Sequence, residues 1–288
     1  MKRSFLKVAL SSLFAVMLLM TSCLCFVGGV SAKSDALAED SGSASSYVLQ
    51  TDAKARAWIK TYYEGKGYTN VTVGSATPTF IKTFNLSQTA LNNHYASVYS
   101  TKKVAGTCSK VAATIISFHY RGVAYNYSTL KAIFNTLCNY SITNGYYSSK
   151  STTDGVTTYS GTPNSKIDTI INYALDLYSG TKALNATSKS TNVYSVLKTN
   201  VGNGKITEFN IDGHSMVGAG YIEYPVTYKY VNIFGNTVSG SATCKMAIVC
   251  DGWSTAQQGT SSTINSTVYS YFPECKIGSI GYFNIVIA

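Results

Sequence analysis

Apolar residues along the chain recur with two periods, and the point where the period changes divides the sequence. In the first part they fall three and four residues apart. Thr51 can cap a helix that carries Ala55, Trp58, Ile59 and Tyr62 and that Gly65 would stop. In the stretch GTCSKVAATIISFHYRG, Gly106 to Gly122, the residues Val111, Ala112, Ile115, Ile116 and Phe118 form a wide apolar face, which predicts a buried helix with Cys108 in its first turn. Similar spacing predicts helices from Ser128 to Cys138 and from Ser165 to Leu177, and a shorter one from Val193 to Leu197. After Gly204 the pattern turns to strands: Ile206 to Ile211, Ser215 to Glu223, a hairpin around Gly235-Asn236, Lys245 to Cys250, and Gly281 to Ile287. One more strand-like run, Tyr68 to Val73, follows the first of these helices. Helices first and strands second predict an α+β fold, its helical part packed on an antiparallel β-sheet.

The N-terminus follows neither period. Lys2, Arg3 and Lys7 precede a mostly apolar run from Val8 to Met20, and Val30-Ser31-Ala32 offers small residues for cleavage. Residues 1–32 read as a signal peptide, so the protein is expected to be secreted or associated with the cell wall. Lys33 to about Ser46 has too little apolar surface to fold and reads as a leader.

Composition narrows the class. Hydrophobic residues at 45% against charged residues at 12% exclude a disordered tail and a coiled coil. Removing the signal takes three basic residues and two cysteines from a chain of net charge +10 with seven cysteines, leaving +7 and five. The basic residues are scattered, which argues against a nucleic-acid partner. No second apolar run approaches the roughly 20 residues of a membrane span, so no stable membrane insertion is expected. A monomer with no cofactor is the simplest expectation. An odd number of cysteines in an exported chain suggests up to two disulfides among Cys138, Cys244, Cys250 and Cys275, with one thiol kept free. No close Cys-x-x-Cys or Cys-x-x-His pair points to a metal.

Cys108 is the most informative cysteine, because a thiol at a helix N-terminus sits where backbone N–H groups and the helix dipole stabilise a thiolate. It also fits a small core residue or half of a disulfide. Three histidines could serve it as a base. His119 stands eleven residues along the same helix, about 16 Å away at 1.5 Å per residue, out of reach. His94 lies in a polar stretch with no apolar strand to hold it. His214 opens GHSMVGAGY, a small-residue strand that can fix its ring, with Gly213 giving room beside it. An orienting carboxylate is available where KMAIVCDGW ends on Asp251-Gly252-Trp253, although Asp251-Gly252 also suits a plain turn. Asp212 competes, but it is poorly placed two residues from His214.

Cys at a helix start, His on a strand, then Asp-Gly-Trp after the next strand: this order resembles the papain-like cysteine peptidase superfamily. The two stretches GTCSKVAATIISFHYRG and GHSMVGAGY look like its bacterial branches, the bacteriocin-processing type and the staphopain or streptopain type. The resemblance covers Thr101 to Ala288. It implies a papain-like domain over residues 89–288, with residues 33–88 as a possible prosegment or N-terminal extension. It further implies a secreted thiol protease acting on peptide or protein substrates. Cys108 would be the nucleophile, His214 general base and acid, Asp251 the residue in the place usually held by Asn or Asp, and Trp253 the shield over the His–Asp bond. One departure stands out. The family places a glutamine shortly before the nucleophile to donate to the oxyanion; residues 100–107 contain none, and the nearest upstream amides are Gln88, Asn92 and Asn93. The Tyr224 to Thr243 hairpin reads as an insertion. A transglutaminase-like acyl transferase and a non-catalytic binding protein on a degenerate peptidase fold are the alternative readings.

Overall fold

A computed structural model describes residues 47–121, 126–179, 184–189, 192–211, 213–252, 269–276 and 282–287. The signal-like run, Asp212 and Trp253 lie outside the described residues. Thr51 caps α1 (Asp52–Gly65), its hydroxyl accepting from the Lys54 N–H at 3.1 Å, and Ala55 and Ile59 of that helix are fully buried. There follow β1 (Thr69–Val73), β2 (Thr79–Phe80), α2 (Gln88–Val98) with Ser87 as its cap, and β3 (Lys102–Ala105). Two helices come next, α3 (Cys108–Arg121) and α4 (Tyr127–Thr143), the second capped by Asn126. Beyond them lie β4 (Ser149–Thr153), β5 (Val156–Ser160), α5 (Ile167–Ser179), β6 (Leu184–Lys189) and α6 (Val193–Gly202). The last part is strand: β7 (Thr207–Ile211), β8 (His214–Val231), β9 (Thr237–Cys250), β10 (Ser270–Pro273) and β11 (Tyr282–Ile287).

The main sheet runs β10-β9-β8-β7-β11-β6, with β1 and β2 also paired to β8, and all its pairings are antiparallel. A separate small sheet, β3-β5-β4, contains a parallel pair, β3 with β5. The fold is thus α+β with an antiparallel main sheet. Helices cover both faces of that sheet. Val217, Ala219, Met246 and Ile248 pack with α1, α3, α4 and α5, while Met216, Ala247 and Val249 pack with Val193, Leu197 and Val201 of α6. Alternation along a strand accounts for this division, since odd and even positions point to opposite sides. The small residues of β8 are fitted to close neighbours. A Cβ on Gly218 would stand 2.9 Å from Leu197 Cδ1, and one on Gly220 only 2.5 Å from the Thr79 carbonyl oxygen.

The periodic helices end within a few residues of the sequence expectation, except that α4 and α6 run about a turn longer. The helix α2 and the small sheet escape the pattern because they bury little: only Leu91 and Tyr95 of α2 are buried, and no residue of β4 or β5 is. The Tyr224 to Thr243 stretch, read from the sequence as an insertion, forms the outer part of β8 and β9. It continues the β8–β9 ladder without a break to Val231 opposite Thr237. Residues 47–88, expected as a possible prosegment, are stitched into the same sheet: Leu49 bridges to Tyr271, and β1 and β2 hydrogen-bond to β8.

Candidate active site

Gly106, with φ of 53°, turns the chain between β3 and α3 and sits so close to Gly161 that a Cβ would come within 3.0 Å of its nitrogen. The Thr107 carbonyl accepts the first helical bond, from Val111 N–H at 2.9 Å, which makes Cys108 the first residue inside α3. The N–H groups of Cys108, Ser109 and Lys110 therefore have no partner within the helix and direct their partial positive charge past the half-buried thiol. The Thr107 hydroxyl donates to Asn92 Oδ1 at 2.6 Å, which fixes one of the upstream amides beside the helix start. Lys110 anchors the same turn from the other side. Its Nζ donates to the Gly161 carbonyl at 2.8 Å and to the Thr162 hydroxyl, and burial lowers its pKa.

On the sheet, His214 is 5% exposed at the first position of β8, and its Nε2 lies 2.7 Å from the Asp251 main-chain oxygen. A carbonyl oxygen can only accept, so Nε2 carries the proton and Nδ1 is the basic nitrogen of the neutral ring. Burial pushes the imidazole pKa down to about 4, against the smaller upward pull of Asp251.

Asp251, 1% exposed, follows β9. Its carboxylate is tied sideways as well: Oδ2 accepts from the Ser270 hydroxyl at 2.6 Å and Oδ1 from Asn85 Nδ2 at 3.3 Å. The Asn85 amide oxygen in turn accepts from the Gly252 N–H at 3.1 Å, and the Gln88 N–H donates to the Gly252 carbonyl at 3.1 Å. Residues 85–88 thus clamp the Asp251-Gly252 corner. Gly252, with φ of 71°, supplies the left-handed turn there.

These elements converge. Cys108, Val111, Ala112 and Ile115 of α3 face Ser215, Cys250, Asp251 and Gly252 across a narrow crevice of about 170 Å³. Cys108 and Asp251 thus line one crevice, while His214 is not among its lining residues and is joined to it through the bond of its ring to the Asp251 main chain. The other histidines stand apart from it: His94 Nε2 lies 3.4 Å from Asn135 Nδ2 between α2 and α4, and the His119 ring packs on Tyr120.

Several polar residues of this locality carried no sequence signal. Asn85 and Ser270 bind Asp251 from far away in the chain. Asn85 is noticeable in the sequence only as part of Asn-Leu-Ser, a motif expected by chance in so Asn- and Ser-rich a chain. Behind the crevice, Ser215 donates to Asn210 Oδ1 at 2.5 Å. Glu208 nearby is wholly buried, with the Ser215 hydroxyl as a polar neighbour. Burial raises its pKa well above the usual carboxylate value, against a smaller downward pull from the Ser215 hydroxyl.

No family model matches the chain, and no curated protein or solved structure matches it either.

Proposed function

We propose that the protein is a secreted cysteine peptidase of papain-like type, cleaving peptide bonds with Cys108, His214 and Asp251. The observation that carries this reading is the crevice lined by Cys108 at a helix N-terminus and by Asp251, whose main-chain oxygen holds the buried His214 ring by its Nε2 and leaves Nδ1 as the base. In the reaction Nδ1 of His214 takes the Cys108 proton as the sulfur attacks the substrate carbonyl. The imidazolium then returns the proton to the leaving amine, and water, activated by the same nitrogen, hydrolyses the thioester. Because burial keeps His214 neutral at rest, proton transfer accompanies attack rather than preceding it. Asp251 acts chiefly through its main-chain oxygen, and its carboxylate, held by Ser270 and Asn85, fixes that oxygen in place. The N–H groups at the start of α3, with the Asn92 amide beside them, stand in for the missing upstream glutamine as oxyanion donors.

Purified protein treated with an epoxide or vinyl-sulfone probe should be labelled at Cys108 and lose hydrolysis of an unfolded protein substrate, whereas Cys108→Ala should do neither. Absence of labelling at Cys108 in folded protein would overturn the reading. Incorporation of an amine in place of water would reassign the acceptor and support an acyl transferase.

A further inference from the structure

We propose that Cys244 and Cys275 form a disulfide that ties the short 3₁₀ turn Glu274–Lys276 to β9. The inference is independent of the peptidase reading and rests on three observations. First, position: β10 pairs with β9 from Ser270 opposite Val249 to Pro273 opposite Met246, and the 3₁₀ turn that follows at once, with Cys275 at its centre, stays packed against β9, the strand that carries Cys244 two residues before Met246. Second, facing: Cys244, Met246 and Ile248 of β9 belong to the core on the α1 side of the sheet, and Tyr271 of β10 packs against the same core. Third, a common neighbour. The Tyr62 hydroxyl of α1 interacts with the Cys275 thiol and feels Cys244 as well, and each of Tyr63 and Cys244 is raised to about 12 with Cys275 among the causes.

Both thiols are reduced in this structure, one exposed and one buried. That difference sets the order of the chemistry. An external disulfide, such as oxidised glutathione or a disulfide oxidoreductase, is attacked by the accessible Cys275 thiolate, releasing one of its thiols and leaving a mixed disulfide. The Cys244 thiol then gives up its proton and attacks the Cys275 sulfur, expelling the second thiol. Two protein thiols lose two electrons and two protons, and the external disulfide gains them. The bridge closes a ring of about 30 residues that includes the Asp251-Gly252 corner. Cys138 and Cys250 are buried, at 1% and 2% exposure, which leaves Cys108 as the accessible thiol among the described residues.

The test takes the full chain, reduced and then equilibrated in a glutathione and glutathione-disulfide buffer, alkylated, and cleaved after Lys, Tyr and Phe, which separates Cys244, Cys250 and Cys275. The expected result is a Cys244–Cys275 linked peptide that disappears on reduction. A rise in Tm of the order of 5 °C over the reduced form should accompany it and be missing in Cys275→Ser, an exposed site where the variant folds. Recovery of Cys275 only as a free thiol, as a glutathione adduct, or linked to another cysteine would overturn the proposal.

Discussion

The two ends of β8 share one strand and one partner but have opposite surroundings. At the His214 end every residue to Gly220 is buried, with β7 and β9 on either side, α3 above and α6 below. At the other end the ladder runs out into a tip where Val231, Ile233 and Phe234 are 61%, 67% and 79% exposed, although the Asn232 side chain accepts from the Phe234 and Asn236 N–H groups and holds the turn in shape. Order is therefore not what distinguishes the site. Both ends are well hydrogen-bonded, but only the buried end has its polar groups held out of water, where they shift pKa and pair tightly.

The contrast should be largest in activity. His214→Ala should reduce turnover by about 10²–10⁴, as loss of a general base does, while leaving the fold intact by circular dichroism. Acid should reveal the same residue through stability. Its folded-state pKa of about 4 lies below the ordinary 6.5, so folding favours the neutral ring; that contribution is complete above about pH 6.5 and is lost as pH falls toward 4. Denaturant melts across this window should lose up to about 3 kcal/mol more in wild type than in His214→Gln. Gly220→Ala should cost about 2 kcal/mol, because the added methyl drives β2 away from β8. Asn85→Ala strips Asp251 Oδ1 and the Gly252 N–H of a partner and should cost about 1–2 kcal/mol together with some activity. At the exposed end, Phe234→Ser should change stability by no more than about 0.5 kcal/mol and leave turnover untouched. A large effect there would show that the tip is coupled to the site.

Legibility in the sequence followed burial. The helix of Val111, Ile115 and Ile116 and the strands around Val217 and Ile248 announce themselves because each buries a face, and periodicity records burial. Cys108 and His214 stood out because each sits at the terminus of such an element. The polar half of the site left no trace. Asn85 reaches Asp251 across 166 positions, and nothing local marks an asparagine that serves a partner so distant. The use of the Asp251 main chain rather than its side chain to hold the ring was equally hidden, since every residue has a carbonyl. Of the strands that join residues 47–88 to the sheet, β1 was legible as the strand-like run Tyr68 to Val73, whereas β2, two exposed residues long, left no signal, and the place of both depends on the reach of β8.

The long span between Asn85 and Asp251 also bears on folding order. The backbone bonds of α3 close within its own segment, so the helix can form early, whereas the corner that fixes His214 waits for pairings separated by 37 positions within the sheet and for the Asn85 clamp across 166. A chain part-way to the native state would carry its thiol on a finished helix with no oriented imidazole beside it. Under the proposed peptidase function, reactivity at Cys108 should therefore appear late in refolding, with the last long-range contacts, a delay that would spare the unfinished chain's own exposed loops.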